Sequence, residues 1–101
     1  MNTKKIIELG GTITLDDISH LNQLAGTSRI IDGLKEDLFQ AVFPKDQIID
    51  IGWYPEFCEN GTFRVSLIKA YDWEHPIFSD QAKNWEELYS VISCALEKLE
   101  I

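Results

Sequence analysis

The stretch Tyr71-Asp72-Trp73-Glu74-His75-Pro76 gathers two carboxylates, an imidazole and two aromatic rings. Asp72, Glu74 and His75 have the functional groups of metal ligands or of acid–base catalysts. A stable zinc site needs well-spaced ligands from more than one element, often with cysteine or a second histidine. The other histidine, His20, falls in a distant segment, and neither an H-E-x-x-H nor an EF-hand pattern occurs. Cys58 and Cys94 form no C-x-x-C pair, and no local signature couples either thiol to a histidine. They read as reduced thiols, although a disulfide between them stays open. Cys94 lies beside an apolar helical stripe and reads as a small core residue, whereas Cys58 falls near a hairpin end. The expectation is a protein that is not an enzyme and holds no metal or cofactor. Tyr71 and Trp73 beside acids suit a protein-binding surface, with large rings of few rotors flanked by charge. Trp73 has a structural alternative, folding back to cap a sheet edge.

Bulk composition narrows the partner. The chain has 101 residues and a net charge of −8, from 17 acids against 9 bases. Phosphate binding needs a basic face, so this balance argues against nucleic acid and against anionic membranes. It favours solubility and would steer a basic partner inward at low salt. The N-terminal Lys4-Lys5-Ile6-Ile7 run ends at Glu8, too soon for a signal-peptide core, and no stretch reaches membrane-spanning length. A cytoplasmic single domain over residues 1–101 is expected.

The elements that must position the loop are read from periodicity. Thr14 before Leu15-Asp16-Asp17 looks like a helix cap with an acidic first turn. Leu15, Ile18, Leu21 and Ala25 follow at helical spacing, with Gly26 as the stop. Ile30, Ile31, Leu34, Leu38, Ala41 and Val42 suggest a second helix ended by Pro44. In 48–55 and 62–69 the odd positions Ile49, Ile51, Trp53, Phe63, Val65 and Leu67 are apolar, which is the period of a half-buried antiparallel pair. Asn60-Gly61 marks the hairpin. Keeping all the odd residues on one face favours a three-residue loop, Glu59-Asn60-Gly61, with Gly61 left-handed. Pro76–Ser79 reads as a short third strand. Asn84 caps a closing helix with Glu87 as its capping-box partner, and Leu88, Val91, Ile92, Ala95 and Leu99 form its buried stripe. The expected fold is α+β: a small antiparallel three-stranded meander covered by two N-terminal helices and a C-terminal helix, on the face of Trp53 and Val65.

One further pattern runs through the second half. "IDIGWYP" (49–55) leads through "EFCENGTFRVSLIKAYDWEHPIFSD" (56–80) to "NWEELYSVI" (84–92). This resembles small immunity proteins of bacterial contact-dependent growth inhibition systems. The shared features are a G-W-Y-P strand, an N-G type turn, an F-x-V-x-L strand, a W-x-x-P loop and a capped closing helix, over about residues 48–99. The resemblance implies a cytosolic inhibitor that binds the C-terminal toxin domain of a cognate effector, as a monomer in a 1:1 complex. Many such toxins are nucleases with basic clefts, and a ribonuclease is the leading expectation. An acidic partner suits such a cleft.

The contact residues are chosen from charge and placement rather than from the family pattern. They are Tyr71, Asp72, Trp73, Glu74 and His75, with Glu56 and Glu59 near the hairpin. The rival reading is a non-enzymatic adaptor or regulatory domain that binds an ordinary cellular protein.

Overall fold

A computed structural model describes residues 3–21, 23 and 25–100. The chain runs α1 (Thr3–Glu8), β1 (Thr12–Asp16), two 3-10 turns (Thr27–Arg29 and Ile31–Gly33), β2 (Phe39–Phe43), β3 (Gln47–Tyr54), β4 (Thr62–Lys69), β5 (Phe78–Ala82) and α2 (Trp85–Glu97). The five strands form one antiparallel sheet in the order β1-β2-β3-β4-β5.

Among the described residues neither expected N-terminal helix forms, and the expected three-stranded sheet has five strands. Thr12-Ile13-Thr14 is a run of β-branched residues that suits a pleated surface better than a helix. Asp16, read as part of a helical first turn, instead ends β1. Its carboxylate accepts hydrogen bonds from the Ser19 amide (3.0 Å) and the Ser19 hydroxyl (2.6 Å), which closes a turn. The apparent second helix merged two elements. Ile30, Ile31 and Leu34 fall in or beside 3-10 turns, and Phe39, Ala41 and Phe43 are the buried positions of β2. Phe39 sits opposite Ile51 and Ala41 opposite Ile49, so β2 covers the edge that a three-stranded sheet would leave bare. In the N-terminal run, Met1 and Asn2 lie outside the described residues, and Thr3–Glu8 is helical.

The hairpin has the expected parity with a different turn. Trp53 faces Phe63, Ile51 faces Val65 and Ile49 faces Leu67, so the odd residues share one face. Pairing ends at Tyr54 opposite Thr62, which leaves a seven-residue connection, 55–61, rather than three. Phe57, not Gly61, takes the left-handed conformation (φ 58°). Gly61 is required for space: a Cβ there would lie 2.5 Å from Trp53 Nε1, which donates to the Cys58 carbonyl at 2.8 Å. The last strand lies at Phe78–Ala82, two residues beyond its expected start.

The closing helix follows its sequence signals. Asn84 Oδ1 accepts the Glu87 amide at 2.8 Å, and Glu87 reaches back to the Lys83 amide at 3.0 Å. Leu88, Val91, Ile92, Ala95 and Leu99 are buried, joined by Trp85, whose ring tilts against Phe63 at 5.0 Å. Ile6 of α1 and Ile18, Leu34 and Leu38 of the long β1–β2 connection complete this core. All of it lies on one face of the sheet. No described helix packs on the other face.

Candidate functional site

Alternation along the strands decides what that open face displays. Directly opposed residues share a face, so Thr12, Val42, Ile48 and Ile68 form one row across it. Leu15, Gln40, Asp50, Ser66 and Ser79 form the next. Arg64 and Gln81 follow beside Gly52, and then Tyr54 opposite Thr62. The first row is apolar apart from Thr12, and the second polar apart from Leu15. Gln40 Nε2 donates to Asp50 Oδ1 at 3.4 Å, and the Ser66 and Ser79 hydroxyls lie 3.3 Å apart.

The expected contact residues fall at two ends of this sheet. Tyr71–His75 lie in the β4–β5 connection, beyond the Gln47–Lys69 pair. Glu56 and Glu59 lie in the β3–β4 connection, beyond the Tyr54–Thr62 pair. An eight-residue strand separates the two groups, a span of about 25 Å. All seven residues are exposed, but they are not one patch.

The β4–β5 connection is bent back over the open face. Ala70 (φ 54°) and Tyr71 (φ 59°) are consecutive left-handed residues without being glycine. Such conformations cost of order 1 kcal/mol each and persist where surroundings hold them. Here the Ala70 amide donates to Asp46 O (2.9 Å) and the Ile77 amide to Leu67 O (2.9 Å), which pins both ends. Trp73 and Pro76 thereby line a pocket of about 240 Å³ together with Asp50, Tyr54, Arg64 and Ile68. Trp73 therefore lies over the face of the sheet rather than capping its edge, and keeps 47% of its surface exposed. Ile68 is buried although it sits on the open face. His75 Nδ1 and Asp72 Oδ1 are 3.1 Å apart in solvent, and Tyr71 is 68% exposed.

Electrostatics on this face are set by burial and by acids. Burial holds the Asp50 carboxyl above its ordinary value; the Gln40 hydrogen bond opposes this, and the Asp37 charge adds to it. Burial also raises the Tyr54 phenol, helped by the charges of Asp50, Glu36 and Asp37 and opposed by Arg64. The Arg64 guanidinium lies over the Tyr54 ring, 4.8 Å from its centroid. Three carboxylates and one guanidinium thus act on Tyr54.

Asp50, Tyr54, Arg64, Ser66 and Ser79 were not among the residues expected at the site. For Asp50, Tyr54, Arg64 and Ser66 the signal was available, since the alternation of β3 and β4 sends them away from the core; Ser79 reaches the same face through its pairing with Ser66. Gln40 was hidden by the helical reading of its segment. Cys94, read as core, is exposed on α2, and Cys58 is half-buried; both are free thiols. Among the described residues no three His, Cys, Asp or Glu side chains converge to hold a metal ion, and no helix is long and apolar enough to cross a membrane. A second cleft of about 760 Å³ lies between α1 and α2, floored by Leu9, Ile92 and Leu96.

Comparison with protein-family models, with curated proteins and with solved structures finds no match for this chain.

Proposed function

We propose that this chain is a cytosolic inhibitor of the immunity-protein kind, which binds and neutralises the toxin domain of a contact-dependent growth inhibition effector. The toxin is a basic nuclease, with ribonuclease favoured, and the complex is 1:1. The observation that carries the reading is the open sheet face. There a half-exposed Trp73 borders a pocket holding Asp50, beside Glu36 and Asp37. Aromatic anchors ringed by charge are how protein interfaces concentrate their affinity. The net charge of −8 suits a cationic, phosphate-accepting cleft and speeds encounter with it. The motif run over 48–99 supports the same class. Tyr71, Trp73 and the pocket form the contact, with Asp72 and Glu74 steering approach from the rim. Glu56 and Glu59, at the other end of β3, join only if the toxin covers the full length of the strand.

Co-expression with the C-terminal domain of a neighbouring effector gene tests the proposal. Rescued growth together with a co-purifying complex is expected. Failure to rescue, with no complex, would overturn it. A complex without rescue would mark the chain as an adaptor.

A further inference from the structure

We propose that the open-face pocket receives one arginine side chain from the partner, its guanidinium directed at Asp50 and its flank against Trp73. The inference rests on the interaction reading for its partner and on the pocket's own chemistry for the arginine.

The pocket's volume, about 240 Å³, lies below the roughly 300–1,000 Å³ of small-molecule sites. It has room for a single long side chain. Its charge selects a cation. Asp50 is half-buried, accepts one long hydrogen bond from Gln40 (3.4 Å), and forms no ion pair among the described residues. A carboxylate that has lost part of its water without gaining a cation is in a costly state, and an incoming cation relieves it. Glu36 and Asp37 add negative charge beside Tyr54. Ser66 and Ser79 hydroxyls retain acceptor capacity on the same floor.

The walls select a guanidinium over an ammonium. Trp73 supplies an aromatic flank and Pro76 an apolar one. A guanidinium is planar, weakly hydrated and stacks on rings while its fork bonds a carboxylate. Arg64 already does half of this, lying over the Tyr54 ring without reaching Asp50. It shows that this surface accommodates a guanidinium against an aromatic face, and it leaves the carboxylate for a second one.

The test is an NMR titration of the ¹⁵N-labelled chain with the blocked tripeptide acetyl-Gly-Arg-Gly-amide and with its lysine and citrulline counterparts. The signals followed are the Trp73 indole N–H and the amides of Asp50, Tyr54 and Ser66. Saturable shifts at these positions are expected for arginine, several-fold weaker for lysine and lacking for neutral citrulline. Asp50→Asn should weaken arginine binding at least roughly fivefold with spectral dispersion retained. Arg64→Gln should strengthen it, because the resident guanidinium no longer repels the incoming one. Non-saturating shifts, an equal response to citrulline, or indifference to Asp50→Asn would overturn the pocket; lysine equal to arginine would overturn the choice of guanidinium. Toxin rescue without an arginine response removes the pocket and keeps the toxin reading. Arginine binding without rescue does the reverse.

Discussion

The Arg64 guanidinium covers the Tyr54 ring at 4.8 Å while Asp50, on the same face, has no cation within ion-pair distance among the described residues. An opposite charge sits close by yet is spent on an aromatic face. The carboxylate therefore carries the cost of partial burial with only the Gln40 hydrogen bond to offset it, and that has a pH signature.

Asp50 should make the folded state less stable as it ionises. Its carboxyl is held above the ordinary value, first by burial. Between the unfolded and folded values the folded chain binds more protons, so its contribution is present below the unfolded value and lost as pH rises through the folded one. Asp50→Asn should raise the melting temperature at pH 7, since asparagine still accepts from Gln40. The gain should vanish below the ordinary carboxylate range. Thermal melts at the two pH values check this; an equal effect at both would show that Asp50 acts through packing instead.

Gly52 should tolerate no side chain. A Cβ there would lie 1.9 Å from the Glu36 carbonyl oxygen. The segment carrying Glu36 is held against β3 by Trp53 N–H donating to Lys35 O (2.7 Å) and Leu38 N–H donating to Ile51 O (3.0 Å). Gly52→Ala should cost about 2–3 kcal/mol in urea unfolding. Gly26, with nothing within 4 Å of a Cβ, should accept alanine within about 0.5 kcal/mol.

Local spacing was legible in the sequence, whereas close tertiary approach was not. The β3–β4 parity and the Asn84 cap are local signals backed by tertiary packing, and both can be read from spacing. Gly33 and Gly52 depend on what approaches them, Leu21 and the Glu36 backbone, which spacing does not reveal. The segment from Leu15 to Val42 misled because buried loop residues such as Ile18, Leu34 and Leu38 fell by coincidence at helical intervals. Short strands such as Phe39–Phe43 offer only three buried apolar positions, too few to outweigh them. The site followed suit. Loop acids and aromatics stand out in a sequence, whereas Asp50 and Arg64 become neighbours of Trp73 only once the β4–β5 connection bends back.

Gln47 should be costly to remove. It is fully buried; its amide donates to Pro44 O and Glu100 O and accepts the Glu100 N–H, each at 2.7 Å. Gln47→Leu leaves those backbone groups unpaired and should destabilise by about 2–3 kcal/mol. The nearby Lys69–Glu100 pair is 2.6 Å long but exposed, so Lys69→Ala should change stability little. Denaturant midpoints for the two variants order these effects, and a Lys69 effect as large as that of Gln47 would refute the ranking.

Charge in the β4–β5 connection should act on encounter rather than on residence. Asp72 and Glu74 are exposed at the rim of the open face. Reversing both to lysine should slow association with the toxin domain by about tenfold at low salt, with the difference shrinking at high salt. Reversing Glu56 and Glu59, at the far end of β3, should do less. Stopped-flow association rates across ionic strength separate the pairs, and equal slowing by both would place the toxin along the whole sheet.

The proposed binding surface centres on Trp73. Its side chain is half-exposed and lies outside the core, so Trp73→Ala should leave the fold intact. Calorimetric titration of the toxin domain with the wild-type chain and with this variant should show affinity falling by at least about thirtyfold, the loss of a central aromatic anchor. Affinity unchanged within twofold, with the variant folded, would contradict the assignment of the open face as the binding surface.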